Sequence, residues 1–179
     1  AARDAAAAGA TRMLSIAAGV RLATIEAVVG PGVAVVRAMP NTPALVRLGA
    51  SAIAAGSAAG DDDVAWAESI LAAVGTVERM SEGDLDLFTG VAGSGPAYVF
   101  LLAQAMARAG AAAGLPTDLA DTLARATVAG SGELLARSPL PAARVRPRAR
   151  PVPRARRRAR RRSRAVGCHA WRASARSHR

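Results

Sequence analysis

The apolar positions in the first half of the chain form short continuous runs separated by a helical stripe. Met13–Ile16 is one such run, and Val33–Met39 is apolar throughout apart from Arg37. Continuous runs of this length are typical of parallel strands that are covered on both faces. Between them, Leu22–Val29 predicts a short helix that ends at Gly30.

The same alternation continues to residue 80. Ser51–Ala55 predicts a weaker third strand, and Thr76–Met80 predicts a fourth. The helix between them starts with the acidic residues Asp61–Asp63, which suit its positive end, and closes at Gly75. Its apolar face is formed by Val64, Ala67, Leu71 and Val74. Strands and helices that alternate at this spacing predict an α/β layer on a mostly parallel sheet.

From Glu82 onward the pattern is helical. Pro96 suits the first turn of a long helix, Gly114–Pro116 ends it, and Thr117 offers an N-cap for a second. The two apolar stripes are Val99, Leu102, Met106 and Ala109, followed by Leu119, Leu123, Ala126, Gly130 and Leu134. Helices this rich in small and apolar residues predict burial against other helices, and a second copy of the chain supplies them most simply.

The histidine and cysteine content limits the chemistry that residues 1–143 can perform. The only cysteine is Cys168, and the only histidines are His169 and His178. Serine–histidine catalysis, cysteine–histidine catalysis and histidine-rich metal sites are therefore excluded from these residues, and we expect no metal. The absence of disulfides fits the cytoplasm. We find no secretory signal and no uninterrupted apolar run of membrane-spanning length, so we expect no membrane contact.

The positive charge lies at one end of the chain. The net charge is +11, yet residues 1–143 contain nine Arg and all thirteen acidic residues, whereas residues 144–179 contain fifteen Arg and no acidic residue. An arginine block with several prolines predicts a disordered segment that binds polyanions nonspecifically by counterion release. An arginine-rich nucleic-acid-binding protein, acting through residues 144–179, is thus one alternative function. A helical dimerisation module without catalytic activity is another.

Two motifs stand out between these elements. Residues 36–46 read VRAMPNTPALV and place a strand end against a proline-bracketed turn, which presents Asn41 and Thr42 beyond the sheet. Residues 89–98 read TGVAGSGPAY and predict a glycine-serine loop that opens a helix. Free backbone N–H groups at a helix start bind carboxylates. The motifs therefore predict a cofactor edge and a carboxylate pocket.

Over about residues 12–137 the chain resembles the pyrroline-5-carboxylate reductases. The matching segments follow the family's order and spacing, and they are SIAAGV (15–20), RAMPNTPAL (37–45), AVGTV (73–77), TGVAGSGPAYVF (89–100) and the glycine-bounded stretch 109–116. The resemblance implies the carboxyl-terminal part of a Rossmann-type parallel sheet in residues 1–83. It also implies an all-α dimerisation domain, truncated, in residues 84–140. Beyond the resemblance, composition alone predicts a disordered Arg/Pro-rich tail in residues 141–179.

The resemblance also implies an activity. Enzymes of this family reduce 1-pyrroline-5-carboxylate to L-proline with NADPH or NADH, and they form homodimers or higher homo-oligomers. Hydride transfer to a cyclic imine depends mainly on positioning and on exclusion of water, so a body without histidine can support it.

Site residues carry over only where the family's motif is present in this sequence. The implied cofactor-binding residues are Ile16, Ala17, Ala18, Met39, Pro40, Asn41 and Glu82. Thr89 is the implied catalytic residue, and Ser94, Gly95 and Pro96 are implied to bind the substrate.

Several of these residues have a purely structural alternative. Ala17 and Ala18 fit a tight strand-to-helix turn, Asn41 fits a turn residue that bonds its own backbone, and Ser94 fits an N-cap. Tyr98 and Met106 fit core positions.

Two family segments have no counterpart in the printed sequence. They are the glycine-rich phosphate-binding turn Gly-x-Gly-x-x-Gly and the substrate loop Ser-Pro-Gly-Gly-Thr-Thr. Near Ser138 the sequence instead changes into an Arg/Ala/Pro run. We therefore expect an incomplete family member with an artificial tail and negligible activity of its own, in which the residues present do not fix the choice between NADPH and NADH.

Overall fold

The computed structural model describes residues 1–145, and the predicted tail beyond Val145 lies outside them. The strands are β1 (Arg12–Ser15), β2 (Ala34–Pro40), β3 (Gly49–Ala55) and β4 (Gly75–Arg79), and the helices are α1 (Ala2–Ala7), α2 (Leu22–Val29), α3 (Asp61–Ala72), α4 (Leu85–Phe88), α5 (Gly95–Ala112) and α6 (Thr117–Arg137). Residues Ala1–Gly132 form one compact unit. The predicted α/β sheet followed by helices is confirmed.

The four strands form one sheet in the order β1-β2-β3-β4. β1 and β2 are parallel and joined through α2, and β3 and β4 are parallel and joined through α3. β2 and β3 are antiparallel, because the short 3₁₀ turn Thr42–Val46 reverses the chain between them. The predicted mostly parallel sheet is therefore correct for two of the three strand pairs.

The sheet is covered on both faces by separate apolar clusters. On one face, Val35 and Ala52 pack with Leu22 and Ile25 of α2 and with Leu85 of α4. On the other face, β2 and β3 pack against α3; the residues are Val36, Ala38, Ile53, Val64, Ala67 and Leu71. This arrangement explains why β2 is apolar at nearly every position, as a strand with two buried faces requires.

The polypeptide around residues 85–112 is more continuously helical than the sequence predicts. α4 leads into a π-helical turn, Thr89–Gly93, which leads into α5. The Ser94 N–H donates to the Thr89 carbonyl, 2.8 Å away. The expected open loop with free N–H groups is thus wrong in detail, because the π turn already uses the Ser94 N–H.

The two long helices leave most of their apolar side chains exposed. α5 has no buried residue, and in α6 only Ala120 and Ala124 are buried. Tyr98, expected in the core, is 64% exposed, whereas Met106 is half-buried. Contact between the helices is close near their connection, where a Cβ on Gly110 would lie 3.2 Å from the Cβ of Ala120.

The helical stretch Glu82–Ala112 is long enough to cross a membrane and contains an 18-residue window with a mean hydropathy of 1.3. Glu82, Asp84 and Asp86 interrupt its apolar character, so it is not the uninterrupted apolar run that a spanning segment would show. Helices of soluble proteins share this length and composition, so the stretch is weak evidence for a membrane span.

Two smaller boundaries also differ from expectation. Gly75 was expected to close α3, but it begins β4, and Thr117 is the first residue of α6 rather than its N-cap. At Gly75 the backbone has φ of +154°, and an added Cβ would overlap the Gly49 carbonyl oxygen. Only glycine fits where β4 starts against β3.

Candidate active site

The predicted cofactor residues lie at one edge of the sheet, where β1 and β2 end. Because Ser15 pairs with Arg37 in parallel register, Ile16–Ala18 leave β1 at the same edge as Met39–Asn41. Ile16 is 62% exposed, and Ala17 and Ala18 are exposed as well. Ligands of open α/β sheets bind beyond the carboxyl ends of the strands. This edge is therefore an open platform for a ligand.

Asn41 joins the first motif to the second. Its backbone N–H donates to the Ala50 carbonyl (3.1 Å), and its Oδ1 accepts from the Ala50 N–H (2.9 Å). Its Nδ2 donates to the carbonyl of Ala92 in the π turn (3.0 Å). Asn41 thus bonds the backbone of two other segments, and the alternative that it bonds its own backbone does not describe this turn.

Met39 also lies beside the π turn. A Cβ placed on Gly93 would lie 3.2 Å from Cγ2 of Thr89 and 3.8 Å from Cε of Met39. The end of β2 and the turn therefore lie close together, beside the hydrogen bond that Asn41 makes. The structure thus brings together the two segments that the sequence motifs predict separately, as a cofactor edge and a carboxylate pocket.

Thr89 lies at the start of this turn and is half-buried. Its Oγ1 donates to the Leu85 carbonyl, 2.7 Å away. The hydroxyl proton is thus held by the preceding helical turn, and the oxygen retains its lone pairs as acceptors. Thr89 can accept a hydrogen bond from a ligand, but its proton is already engaged.

Ser94, Gly95 and Pro96 form the start of α5. Ser94 occupies the N-cap position, yet its side chain makes no capping hydrogen bond, so the alternative of a simple N-cap does not account for it. An added Cβ on Gly95 would find no atom within 4 Å. Open space therefore borders the backbone at the point where the resemblance implies a substrate carboxylate.

Glu82 is held by the start of α2 and by β2, and its implied contact with the cofactor stays a prediction. Its Oε1 accepts from the Leu22 N–H at the start of α2 (2.6 Å) and from Nη1 of Arg37 (2.9 Å). Arg37 is 5% exposed, and the Glu82 side chain is 24% exposed. In this structure Glu82 links β2, α2 and the first turn of the helical region.

The charge of Glu82 is stabilised at this position. Burial raises the pKa of the Glu82 carboxyl, but the hydrogen bond from the Leu22 N–H and the guanidinium of Arg37 outweigh burial, and Arg21 adds to them. The result is a pKa below the ordinary value of 4.5. The carboxylate is therefore a fixed negative charge at neutral pH.

Sequence reasoning missed Arg37 as a member of this region. A charged residue inside an otherwise apolar strand is itself a signal, because a buried guanidinium needs a counter-charge. What the sequence does not show is that Glu82, 45 residues away, supplies that charge. Among residues 1–145, no group of three or more acidic, histidine or cysteine side chains converges to hold a metal ion.

A separate groove of about 720 Å³ runs between α5 and α6. Its apolar lining includes Val99, Phe100, Ala103, Val128 and Ala129, and its polar lining includes Arg108, Asp121 and Arg125. None of the predicted site residues lines it. The groove is an apolar face of the helical region and is distinct from the strand-end platform.

Comparison with known proteins points to one family. Residues 82–149 match the family model described as pyrroline-5-carboxylate reductase dimerisation. A pyrroline-5-carboxylate reductase from Synechocystis sp. is 48% identical over 123 residues, which is 69% of this chain and 46% of that protein. One from Pseudomonas aeruginosa is 42% identical over 137 residues, 76% of this chain and 50% of that protein.

Solved structures of the same enzyme share the fold. The structure from Coxiella burnetii has a TM-score of 0.74 and 28% identity, and the match covers 96% of this chain and 64% of that one. The structure from Plasmodium falciparum, described with NADP bound, has a TM-score of 0.67 and 29% identity over 78% of this chain and 54% of that one. The chain spans about half the length of the curated relatives it matches.

Proposed function

Since this chain belongs to the pyrroline-5-carboxylate reductase family, we propose that it supplies the substrate-facing part of an enzyme that reduces 1-pyrroline-5-carboxylate to L-proline with a nicotinamide cofactor. The observation that carries this proposal is the junction of the two motifs. At the end of β2, Asn41 donates a hydrogen bond to the Thr89–Gly93 turn and Met39 lies beside that turn, directly before the open space beside Gly95. A strand-end platform and a helix start that meet in this way suit a cofactor and a small carboxylate side by side.

The proposed roles follow from these positions. The exposed Ile16, Ala17 and Ala18 and the end of β2 would border the cofactor. Gly95 leaves room for a carboxylate to approach the start of α5, where the helix dipole favours negative charge. Ser94 and Thr89 offer hydroxyl groups beside that space, and Pro96 fixes the backbone of the first helical turn. Together these residues would orient the imine and position it next to the nicotinamide ring of the cofactor.

NADPH or NADH would supply the hydride when bound. The platform fits a nicotinamide ring because it is exposed, weakly polar and situated at the carboxyl edge of the sheet. The Plasmodium falciparum relative is described with NADP bound, which supports the same class of cofactor here.

We propose that the boundary between residues 83 and 84 separates the cofactor-binding domain from the dimerisation domain. The matched family model begins at Glu82, and the exposed apolar faces of α5 and α6 support a second copy as their partner. A homodimer would bury those faces. The cytoplasmic location expected from the sequence stays a prediction.

An activity assay tests the proposal. The printed chain would be compared with a chimaera. In the chimaera, the aligned region of this chain is fused to the segments that flank that region in the Synechocystis sp. relative. We expect NADPH oxidation dependent on 1-pyrroline-5-carboxylate from the chimaera and negligible turnover from the chain alone. A folded, dimeric chimaera without turnover would contradict the proposed function.

A second function rests on charge alone. The fifteen arginines of residues 144–179, with no acidic residue among them, favour nonspecific polyanion binding by that segment. Such binding would fall steeply with added salt and would leave the reductase proposal unaffected.

A further inference from the structure

The carbonyl of Ala92 lacks the hydrogen-bond donor that a regular helix would provide. In an α-helix a carbonyl accepts from the N–H four residues later, which here is residue 96. Residue 96 is proline and has no N–H. The next N–H, that of Ala97, donates to the Ser94 carbonyl at 3.0 Å. Pro96 thus removes the local partner of the Ala92 carbonyl.

Asn41 supplies the missing donor from another part of the chain. Its Nδ2 lies 3.0 Å from the Ala92 oxygen, and its Oδ1 is fixed by the Ala50 N–H at 2.9 Å. Because the Oδ1 contact orients the amide, the Nδ2 group is directed at the π turn. The side chain has both ends engaged with backbone, and it connects β3 to the turn that precedes α5.

We propose that Asn41 is a positioning residue. Its Nδ2 group replaces the backbone N–H that Pro96 lacks, and it so holds the π turn and the start of α5 against the end of β2. The expectation from the sequence that Asn41 borders the cofactor stays a prediction beside this role. Its importance for substrate binding rests on the proposed function, whereas its coupling to Pro96 does not.

Coupling between residues 41 and 96 is expected because both residues determine which donor the Ala92 carbonyl has. With Pro96 present, loss of the Asn41 donor leaves the Ala92 carbonyl without a protein partner, which destabilises the turn. With alanine at 96, the restored N–H can donate to the same carbonyl. The destabilisation of the π turn that follows loss of the Asn41 donor should therefore depend on residue 96. If the Asn41 side chain only closed the β2–β3 turn, its loss would show no such dependence.

A double-mutant cycle in the full chain tests this coupling. The variants are Asn41→Asp, Pro96→Ala and the double variant, and the readout is amide hydrogen exchange of residues 89–101, together with that of residues 34–55. Asn41→Asp keeps the oxygen that accepts from Ala50 but places an oxygen against the Ala92 carbonyl. Thr42→Val is the matched control, since the Thr42 side chain makes no hydrogen bond to residues 1–145 in this structure.

We expect Asn41→Asp to accelerate exchange in residues 89–101 about tenfold and to change that of residues 34–55 little. In the Pro96→Ala background the same change should accelerate exchange less than about threefold, because the carbonyl has a partner again. Equal acceleration in both backgrounds, or none in either, would overturn the proposal. Asn41→Ser serves if Asn41→Asp fails to fold, with the same dependence on residue 96 expected.

The chimaera distinguishes this inference from the proposed function. If the exchange cycle shows coupling and the chimaera has no turnover, the proposed function fails and the positioning role stands. If the chimaera is active, Asn41→Asp should raise KM for 1-pyrroline-5-carboxylate more than it lowers kcat, and Pro96→Ala should restore part of the KM. An active chimaera in which Asn41→Asp leaves both constants unchanged would overturn the role of Asn41 at the site.

Discussion

At the scale of single residues, the Arg37–Glu82 pair is the most consequential contact. A guanidinium inside the sheet would be costly without a partner, and Glu82 is that partner while it also accepts from the Leu22 N–H. Breaking a buried ion pair costs more than the pair itself contributes, because one charge is left uncompensated. The pair therefore specifies how the start of the helical region meets β2 and α2.

Replacement of Glu82 by Gln should make folding less dependent on pH. The folded-state pKa of Glu82 lies below its ordinary value, so the carboxylate contributes stability above pH 4.5, and that stability is lost as the pH falls through the lowered pKa. We expect Glu82→Gln to destabilise the chain by about 1–2 kcal/mol at pH 7, since the carboxylate retains some solvent contact. The difference from wild type should shrink toward pH 3.

Thermal melting between pH 7 and pH 3 measures this difference. Glu78→Gln is the control, because Glu78 is an exposed carboxylate on β4. A constant difference between wild type and Glu82→Gln across this range, or one that grows at low pH, would refute a charge-based role for Glu82.

At the scale of elements, the start of β4 is the least tolerant position. Replacement of Gly75 by Ala would place a Cβ against the Gly49 carbonyl and require a left-handed backbone. We expect a loss of roughly 2–4 kcal/mol, which lowers Tm by about 5–15 °C. Gly83→Ala is the matched control, because its Cβ would meet only Ser81 Oγ at 3.8 Å. Similar Tm values for the two variants would show that the β3–β4 contact is not as tight as described.

The sequence predicts the elements better than their connections. Uninterrupted apolar runs identified β2 and its two covered faces because burial dictates composition directly. The antiparallel pairing of β2 with β3 was not predictable from those runs, since the reversal depends on a short 3₁₀ turn. The π turn at Thr89–Gly93 was missed because glycines suggest an open loop, whereas long-range contacts from Asn41 and Met39 hold the backbone helical.

For the candidate site too, the sequence predicts the local segments better than the contacts between them. The motifs predicted a strand end and a helix start, because their residue types suit those positions, but they did not show that the two segments meet. They did not show that Glu82 pairs with Arg37, or that Asn41 is engaged with the Ala50 and Ala92 backbone. The Glu82–Arg37 and Asn41–Ala92 contacts join residues more than 40 positions apart, so they depend on the fold and no local pattern contains them.

At the scale of the whole molecule, the apolar groove between α5 and α6 needs a partner. We expect the full chain to form a homodimer through this face. Phe100 lines the groove and is 66% exposed. We expect Phe100→Glu to weaken dimerisation at least about 100-fold, because the variant loses an apolar contact and buries a charge in the interface. Ile70→Glu is the control, since Ile70 is 46% exposed on α3, away from the groove.

Analytical ultracentrifugation over a concentration series measures this association. If wild type stays monomeric at concentrations where family dimers would form, or if both variants dissociate equally, the α5–α6 face is not the dimer interface.

The proposed reductase function requires that the space beside Gly95 binds the substrate carboxylate. The most direct test is steady-state NADPH oxidation by the chimaera with 1-pyrroline-5-carboxylate, comparing Gly95→Val with Gly60→Val. Gly95 is the first residue of α5 and Gly60 is the N-cap of α3, and neither added Cβ would meet an atom closer than 3.9 Å. We expect Gly95→Val to lower kcat/KM at least about 100-fold, because its side chain fills the space the carboxylate needs, with a Tm within a few degrees of Gly60→Val. Equal kcat/KM for the two variants, with both folded, would contradict the assignment of the substrate site.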